Sequence, residues 1–330
     1  MIILKEKILM MLKQNKDEFL SGEKISHEFG VSRSAIWKYM NALKEEGYII
    51  ESIPRKGYRL ISSPDILTYG EIEEYLITDF IGRNIYYFDS VSSTNIKAKE
   101  IAPKEQEGTI IIAEEQTKGK GRLGRNWTSP KGKGIWMSII LKPKVDPTKV
   151  AKITLIGAAA VNQGLKDIGI NSYIKWPNDI VINGKKVCGI LTEMSCELNM
   201  INYCIMGMGI NVNLDKDDFD EELSKKATSL KTITGNTVDR KKLLAYILNH
   251  FEELYIPFKE KGDISKTIEI SKDNSILIGK EVRIIRGELE KVGRVLDIDE
   301  EGQLIVEYEN GKVEEIFSGE VSVRGIEGYI

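Results

Sequence analysis

Apolar positions in the first sixty residues recur first with the spacing of helices and then with that of strands. One face of a first helix is formed by Ile3, Leu4, Ile8, Met11 and Leu12. Ser21 can cap a second, short helix, and Gly30 suits the left-handed residue that follows a helix. Ser32 can then cap a third helix that extends to about Glu46. Two helices joined by a short glycine turn predict a helix-turn-helix.

A basic hairpin follows these helices. Residues 48–53 and 57–60 predict two strands around the turn Pro54-Arg55-Lys56, which makes the unit a winged helix-turn-helix. In such units the second helix of the pair meets base edges and basic side chains of the wing contact phosphates. The residues that we expect at DNA are Ser32, Arg33, Ser34, Trp37, Lys38, Arg55 and Lys56. A single unit of this kind binds weakly, so we expect a dimer on a two-fold operator.

Charge alone is a weak argument for DNA binding. Residues 1–60 hold 11 Lys and Arg against 8 Asp and Glu, a net charge of +3, so a small helical domain with a solvated basic face is the alternative. Residues 276–330 hold 7 against 13, a net charge of −6. A basic beginning and an acidic end favour separate modules with different partners.

Beyond a short linker the pattern changes to strands. Ser62 to Asp65 is polar and contains proline, and Thr68 with Glu71 fits a capping box that opens a new domain. Strands are predicted at residues 85–88, 109–113, 134–141, 173–175, 180–182, 187–194 and 203–209. One helix, at about 147–168, separates two groups of them. Because most strands are joined by turns, we expect an α+β domain with a mixed or antiparallel sheet.

The last part of the chain combines a periodic helix with short strands. The helix has apolar residues from Leu243 to Leu254 and is predicted to end before Pro257. Strands follow at residues 281–285, 292–298, 304–308, 313–317 and 321–324. Short strands at this spacing predict a small SH3-like β-barrel. The predicted domains are residues 1–62, 66–272 and 276–330.

Composition excludes several classes of protein. A chain of 330 residues with 42% hydrophobic and 29% charged residues fits two or three soluble domains. No apolar run reaches the length of a membrane span, and the charges at residues 5–7 break a signal-peptide core, so we expect a cytoplasmic protein without a membrane partner. With only His27 and His250, a His-based triad or metal site is not expected. The cysteines form no C-x-x-C pair and are expected to be buried thiols: Cys188, Cys196 and Cys204.

The most informative segment is a basic, glycine-rich run from Glu115 to Trp127. In it, glycines alternate with cations, namely Gly119, Lys120, Gly121, Arg122, Gly124 and Arg125. Glycines let backbone N–H groups approach an anion, and guanidinium groups bind phosphate oxygens in pairs. The run matches neither the P-loop nor the dinucleotide-binding pattern. Taken alone, it fits a flexible basic surface loop equally well.

Four further segments place polar groups next to predicted strands. They are residues 92–95 (SSTN), 175–179 (KWPND), 186–193 (KVCGILTE) and 207–213 (GMGINVN). Together with the glycine-rich run, they closely resemble the biotin–protein ligase family. With the N-terminal helix-turn-helix and a small C-terminal domain, the resemblance covers the whole chain and matches the bifunctional ligase–repressor subgroup. It implies a class II synthetase-like catalytic domain, biotin and ATP as substrates, and Mg²⁺.

The resemblance also implies roles for individual residues. Biotin would be bound by Ser93, Thr94, Asn95, Gln116, Gly119, Lys120, Gly121, Arg122, Lys186, Gly189 and Gly207. The nucleotide would be bound by Arg122, Arg125, Trp127, Asn178, Lys186 and Asn211. The implied catalytic residues are Lys186, Arg122, Asn178 and Asp179, the last two near phosphate and Mg²⁺. The main departure is Lys120, where many relatives carry Arg; Lys keeps the charge but loses the bidentate geometry.

The implied chemistry suits a chain with almost no histidine. A carboxylate that is ionised at neutral pH can attack the α-phosphorus of ATP without a general base. Catalysis then depends on positioning and on cations, which Lys186, Arg122 and Mg²⁺ would supply. In the second step a lysine of a biotin carboxyl carrier protein must lose a proton. Asp179 is our hypothesis for the base, and an Asp179 that only orders a turn or binds Mg²⁺ is an equal alternative.

Three rival functions remain open at this point. Intact Lys186, Arg122 and Asn178 argue against a biotin-sensing repressor without ligase activity. The KWPND and glycine-rich segments argue against a lipoate or octanoyl ligase. A ligase whose N-terminal domain has lost its operator fits the sequence as well. The family further implies a switch, in which biotinyl-adenylate orders the loop near residues 116–127 and favours a homodimer that binds an inverted-repeat operator.

Overall fold

The structure, a computed structural model, describes residues 2–198, 200–319, 321–326 and 329. The chain divides into two compact units, Met1–Glu74 and Tyr75–Ile330. This division differs from the three domains expected from the sequence, whose limits stay predictions. Within the described residues, none of the helices combines the length and the apolar character that a bilayer crossing requires.

The first unit contains the helix-turn-helix and its wing. Its elements are α1 (Ile2–Gln14), α2 (Gly22–Phe29), α3 (Arg33–Glu45), β1 (Ile49–Ile53), β2 (Gly57–Ser62) and α4 (Tyr69–Ile72). Ser21 Oγ accepts from the backbone N–H of Lys24, and Ser32 Oγ accepts from that of Ala35. Gly30 has φ 63° between α2 and α3, so both caps and the left-handed turn are confirmed. The buried core is Ile8, Leu12, Leu20, Ile25, Ile36, Met40, Leu43 and Leu60.

The capping box predicted at Thr68 and Glu71 is wrong. Thr68 precedes α4, but its side chain makes no capping hydrogen bond. Glu71 is buried instead, where it accepts from the Tyr48 hydroxyl at 2.7 Å and lies 2.7 Å from Lys13 Nζ. A buried carboxylate requires such partners, because an unpaired charge away from water is costly. These contacts fasten α4 within the first unit.

The second unit is built on a mixed, seven-stranded sheet, as the sequence predicts. Its strands are β3 (Ile85–Phe88), β4 (Ile110–Ala113), β5 (Gly134–Leu141), β6 (Tyr173–Lys175), β7 (Asp179–Ile182), β8 (Lys185–Glu197) and β9 (Met200–Asn211). Their order is β3-β4-β5-β9-β8-β7-β6. Only β3 and β4 run parallel among these described strands. Asn183 and Gly184 both have positive φ, the conformation of the tight hairpin turn predicted between β7 and β8.

Helices of this unit pack against the sheet and against one another. They are α5 (Thr94–Ile101), α6 (Ala151–Asp167), α7 (Glu221–Lys226), α8 (Leu230–Thr234), α9 (Arg240–Lys261) and α10 (Ser265–Asp273). Two glycines of α6 allow close packing. A Cβ on Gly157 would lie 2.8 Å from Met206 Sδ of β9, and one on Gly164 would lie 2.7 Å from Ile247 Cγ1 of α9. The α6 helix therefore lies close to both the sheet and α9.

The end predicted for α9, before Pro257, is wrong. The helix continues to Lys261, and Gly262 with φ 72° follows it. Proline lacks the N–H that would bond one turn back, which weakens a helix. Phe258 is fully buried and its ring lies 6.2 Å from that of Tyr255, so tertiary packing holds the last turn in place.

The C-terminal part of the second unit is an antiparallel sheet. Its strands are β10 (Glu281–Arg286), β11 (Leu289–Ile298), β12 (Leu304–Tyr308), β13 (Val313–Ile316) and β14 (Val321–Gly325). Their order is β13-β12-β11-β10-β14, with β13 and β14 at the edges. The strands predicted from the sequence are therefore present, and closure into an SH3-like barrel stays a prediction.

The three thiols differ in exposure. Cys188 and Cys204 are buried, as expected, and burial raises the pKa of Cys204 to about 12. Cys196 is exposed, so the expectation of three buried thiols is wrong for this residue. Cys196 lies near the end of the β8–β9 pair, opposite Ile201. Both strands extend there beyond the segments 187–194 and 203–209 that the sequence predicts.

Candidate active site

Two adjoining cavities lie in the second unit. The large cavity has a volume of about 430 Å³ and the small cavity about 40 Å³. Both are lined by Gly121, Arg122, Trp127, Asn178 and Lys186. These shared residues come from the glycine-rich run, from the KWPND segment and from the start of β8. The glycine-rich run therefore meets the KWPND segment and the start of β8, about 50 or more residues further along the chain, at one place.

The glycine-rich run folds back on itself between β4 and β5. The Gly121 N–H donates to the Arg125 carbonyl at 2.7 Å, and the Trp127 N–H donates to the Gly119 carbonyl at 2.9 Å. Leu123 at the tip has φ 56° and is exposed. The run therefore forms a turn that has its own backbone hydrogen bonds.

Arg122 connects this turn with the KWPND segment and with the C-terminal sheet. Its guanidinium donates to Asn178 Oδ1 at 2.7 Å and to the carbonyls of Gly319 and, at 3.3 Å, Val321. Burial lowers the pKa of Arg122, although it stays charged at any physiological pH. A fixed cation is thus present where both cavities meet.

Polar side chains that line the small cavity already make hydrogen bonds within the protein. Gln116 Oε1 accepts from the Thr94 N–H at 2.8 Å, and Gln116 Nε2 donates to Ser129 Oγ at 2.9 Å. Asn95 Nδ2 donates to Glu193 Oε2 at 2.8 Å. Ser93 precedes α5 without making a side-chain capping bond. Groups that are oriented in advance cost little to order when a ligand binds.

Three glycines on β8 and β9 make space for these side chains. A Cβ on Gly189 would lie 2.9 Å from both Lys186 Nζ and the Trp127 ring. One on Gly207 would lie 2.1 Å from Asn95 Oδ1, and one on Gly209 would lie 2.4 Å from Trp127 Nε1. Contacts of this length are forbidden to real carbon atoms, so glycine is required for the present arrangement.

Lys186 and Asp179 form an ion pair at the boundary of the cavities. Lys186 Nζ lies 2.5 Å from Asp179 Oδ1 and 5.1 Å from the centre of the Trp127 ring. Burial alone would raise the pKa of Asp179. The Lys186 ammonium and hydrogen bonds from Lys186 and Tyr329 outweigh burial, so the pKa lies below its usual range and the carboxylate is ionised.

Lys175 is a second, unusual cation of the large cavity. Its ammonium donates to the Tyr329 carbonyl and lies 3.5 Å from the centre of the Tyr329 ring. The Tyr329 hydroxyl also donates to Asp179 Oδ2. Burial lowers the pKa of Lys175 to about 7; Asp179 opposes this shift, and Arg324 adds to it. Lys175 is therefore partly neutral near neutral pH.

The remaining wall of the large cavity is largely apolar. It includes Phe219, Leu223 and Ala227, which pack with Trp127. Asn211 lies nearby, and its Nδ2 donates to the Thr228 carbonyl at 3.1 Å. An apolar wall facing a cluster of cations has the chemical character of a site for a planar base that carries phosphates.

The structure brings nearly all of the sequence-predicted ligand residues to these cavities. Ser93, Thr94, Asn95, Gln116, Lys120, Gly189 and Gly207 line the small cavity, and Arg125, Asp179 and Asn211 line the large one. Gly119 lines neither; its carbonyl holds the Trp127 N–H instead. The roles assigned to these residues remain predictions.

Sequence reasoning missed several neighbours of the site. Ser138 is the one hydroxyl residue in the otherwise apolar strand Gly134–Leu141, a signal that was visible. Gly209 stands in the quoted segment 207–213, but its contact with Trp127 depends on packing. Arg324 and Tyr329 reach the large cavity from the other end of the chain, and no local pattern indicates this.

The first unit carries the expected DNA-facing residues on α3 and the hairpin. Trp37 is 58% exposed on α3, which is unusual for a large aromatic side chain. Arg33 lies 2.7 Å from Glu23, and both side chains are exposed. Lys56 and Arg59 lie 5.9 and 4.7 Å from the centre of the Phe19 ring, so the basic hairpin rests on an aromatic side chain.

Comparison with known proteins agrees with both parts of this description. The biotin/lipoate A/B protein ligase family model matches residues 87–211. An HTH domain model matches residues 5–59, and the biotin protein ligase C terminal domain matches residues 277–324. The cavities thus lie largely in a ligase domain, and the helix-turn-helix is a separate recognised domain.

Relatives that match over nearly the whole chain define the class of protein more closely. The bifunctional ligase/repressor BirA of Bacillus subtilis is 41% identical over 323 residues, which are 97% of this chain and 98% of the relative. The protein of the same name from Escherichia coli is 27% identical over 312 residues, 94% of each chain. The biotin protein ligase from Aquifex aeolicus in complex with biotin and ATP has a TM-score of 0.65 at 34% identity, covering 74% of this chain and 99% of that one.

Fold and site together define an ATP-dependent ligase joined to a helix-turn-helix unit. The chain belongs to the biotin–protein ligase family, within its bifunctional ligase/repressors.

Proposed function

We propose that the protein forms biotinyl-5'-AMP from biotin and ATP and transfers biotin to a lysine of a biotin carboxyl carrier protein. The observation that carries this proposal is the adjacency of the two cavities, with Lys186 and Arg122 lining both. The rings of biotin occupy the small cavity, and ATP occupies the large one. The carboxylate of biotin and the α-phosphate then meet beside Lys186.

The first step needs cations and positioning. A carboxylate nucleophile is ionised at neutral pH, so no base has to remove a proton. Lys186 and Arg122 stabilise the negative charge that develops on the phosphate. Asn178 accepts from Arg122 and fixes the direction of its guanidinium. The leaving pyrophosphate lies among the cations Lys175, Arg125 and Arg324.

Mg²⁺ enters this scheme as part of the substrate MgATP. Magnesium is usually held by one or two carboxylates together with phosphates and waters. Asp179 offers one ionised carboxylate in the large cavity, next to the amide of Asn178. Among the described residues, no group of three or more His, Cys, Asp or Glu forms a metal site. The residues therefore fit a metal ion that arrives on the nucleotide.

The second step requires a neutral acceptor amine. Asp179 is the proposed proton acceptor, and its low pKa keeps it ionised and able to accept. The same low pKa makes it a weak base, because basicity falls with pKa. An Asp179 that only orders a turn or binds Mg²⁺ therefore remains an equal alternative.

The first unit extends the proposal to transcription. A helix-turn-helix with an exposed Trp37 on its second helix fits recognition of an operator, and the basic hairpin fits phosphate contacts. Two copies are proposed to pair as a homodimer on an inverted repeat when biotinyl-adenylate is bound. We infer a cytoplasmic location, because both proposed activities, operator binding and carrier-protein modification, would take place there.

The proposed ligase activity is tested by exchange of labelled pyrophosphate into ATP. Exchange should require biotin and should not occur with lipoate, which is the matched control acid because the family model covers both ligase types. Exchange with lipoate alone would replace the proposed substrate. Absence of exchange with either acid, in a folded protein that still binds biotin, would leave a sensor without ligase activity.

A further inference from the structure

A buried serine lies behind the polar side of the small cavity. Ser138 on β5 is fully buried, and its Oγ lies 2.8 Å from Thr94 Oγ1 and 2.6 Å from Asn95 Oδ1. It is absent from the residues that line either cavity. A hydroxyl buried in an apolar strand is costly unless it is hydrogen-bonded. The hydrogen bonds of Ser138 to Thr94 and Asn95 offset that cost.

Glu193 fixes the direction of these hydrogen bonds. Burial raises the pKa of Glu193, but hydrogen bonds from Lys99 and Asn95 lower it further than that, so the side chain is an ionised acceptor. Asn95 Nδ2 donates to Glu193 Oε2 at 2.8 Å and points towards the Leu191 carbonyl at 3.4 Å. The amide oxygen of Asn95 must then face Ser138, where it can only accept.

A serine hydroxyl has one proton, and Ser138 has two short contacts. Its hydroxyl is the donor in both, so the proton is shared between Asn95 Oδ1 and Thr94 Oγ1. The Thr94 hydroxyl in turn donates to Gln116 Oε1 at 3.1 Å. Because Thr94 Oγ1 accepts from Ser138 and gives its own proton to Gln116, one of its lone pairs is left for a further donor.

We propose that Ser138 is a positioning residue that turns the Thr94 hydroxyl into a hydrogen-bond acceptor towards the small cavity. The cavity thereby selects a ligand that presents an N–H at this point. The inference rests on the proposed function, in which the ring urea of biotin supplies that N–H. A ring without it leaves one lone pair of the buried Thr94 hydroxyl without a partner, and sites of this kind reject such analogues strongly.

Gly207 is part of the same arrangement. A Cβ there would lie 2.1 Å from Asn95 Oδ1, so glycine leaves room for the amide that accepts from Ser138. The sequence Thr94 to Ser138 to Asn95 to Glu193 thus runs from the cavity wall to a carboxylate that is held at 2.6 Å by Lys99.

A double-mutant cycle on biotin affinity tests the proposal. Calorimetry on the full chain gives the Kd of biotin for the wild type, Ser138→Ala, Thr94→Val and the double variant. We expect Ser138→Ala to weaken binding about tenfold, as for one lost hydrogen bond. In the Thr94→Val background the same change should cost less than about twofold, because Ser138 acts through Thr94. Equal losses in both backgrounds would overturn the proposal.

Ligand analogues give a second readout that general destabilisation does not affect. Two carbamate analogues of biotin each have one ureido N–H replaced by a ring oxygen. For the analogue that lacks the N–H facing Thr94, Ser138→Ala should cost nothing further; for the other it should cost about tenfold, as for biotin. A uniform loss for all three ligands would assign Ser138 a purely structural role.

Controls separate the inference from the proposed function. Ser172→Ala removes another buried hydroxyl, which accepts from Asn162 Nδ2 at 3.0 Å and lies outside both cavities, and should leave the Kd unchanged. If Ser138→Ala does not fold, Ser138→Cys keeps a similar volume with a weaker donor and should lose several-fold in affinity. Wild-type protein that fails to bind biotin would refute the proposed function itself. Binding with an additive cycle would refute only the role of Ser138.

Discussion

Single residues of the large cavity show how burial and charge set its chemistry. Asp179 is held ionised by Lys186 and Tyr329, whereas Lys175 is only partly charged at neutral pH. Both groups face the same cavity, within reach of Arg324. Both pKa values are lowered, which keeps Asp179 charged but leaves Lys175 partly neutral. A pH profile therefore tests Lys175, and a neutral replacement tests Asp179.

Lys175 should give the affinity for ATP a pH dependence. Its pKa is lowered to about 7, so the side chain is charged below that pH and neutral above it. Only the charged form attracts phosphate, so kcat/KM for ATP should fall as pH rises through about 7. Lys175→Arg stays charged and should remove this limb, while lowering the plateau about tenfold because the guanidinium has a different shape.

The matched control for this profile is Lys226→Arg. Lys226 also lines the large cavity, 2.7 Å from Glu222, and its replacement should keep the limb. A basic limb that persists in Lys175→Arg would assign the titration to another group.

Asp179→Asn tests the two alternatives for the second step. If Asp179 accepts the proton of the acceptor lysine, transfer of biotin should fall about 100-fold or more, the usual contribution of a general base. Pyrophosphate exchange should fall by much less, since the first step needs no base. Single-turnover assays of each step measure the two losses. Equal losses would refute the assignment of Asp179 as the base and favour an Asp179 that only orders a turn or binds Mg²⁺.

Residues of the site could be predicted from the sequence where they belong to a local motif. The segments SSTN, KWPND and KVCGILTE and the glycine-rich run carry many of the residues that line one cavity or the other, and their resemblance to a family indicated this. The place of Tyr329 in the site could not be predicted, because its contact with Asp179 joins positions that are 150 residues apart. The directions of hydrogen bonds around Ser138 likewise depend on atoms from separate elements.

At the scale of elements, strand β9 carries two glycines with different neighbours. Gly207→Ala should displace Asn95 and raise the KM for biotin about tenfold, with little change for ATP. Gly209→Ala should displace Trp127 and raise mainly the KM for ATP. Overpacking of this kind costs about 1–3 kcal/mol of stability in either variant. Each variant is thus the control for the other, and a shift in Trp127 fluorescence should accompany only Gly209→Ala.

The opposite result would be informative as well. If both variants changed the two KM values equally, the division of labour between the cavities would be refuted. Urea unfolding of each variant establishes beforehand that it folds. A slope of unfolding free energy against urea equal to that of the wild type shows that the native state buries the same surface.

Most elements were predictable because their signals are local. Caps at Ser21 and Ser32, the turn at Asn183 and the alternation of apolar residues each act within a few residues. The two failures among the helices have one cause. Glu71 and the last turn of α9 are held by tertiary contacts, which override the local preferences of a capping residue or of Pro257.

At the scale of the whole molecule, formation of biotinyl-adenylate is proposed to favour the homodimer. Sedimentation of the full chain should show a dimer whose dissociation constant falls about 5- to 150-fold when biotin and ATP are added together, the usual range of such coupling. ATP with lipoate is the control and should have no effect. A dissociation constant that does not change would remove the proposed switch while leaving the ligase untouched.

DNA binding should separate into two measurable parts. Arg55→Ala and Lys56→Ala should each reduce the slope of log affinity against log salt by about one on any duplex, as expected for phosphate contacts. Trp37→Ala should leave that slope unchanged and lower the preference for the operator. Fluorescence anisotropy at several salt concentrations measures both effects, and an unchanged slope in the hairpin variants would exclude it as a phosphate-binding wing.

The unequal exposure of the three thiols has a practical consequence. Cys196 is exposed, whereas Cys188 and Cys204 are buried and their pKa values are raised, which keeps them protonated and unreactive. A maleimide dye or spin label should therefore attach to the native chain at one position, without any engineered cysteine. Pairs of labelled chains would then report the distance between the two copies of a dimer directly.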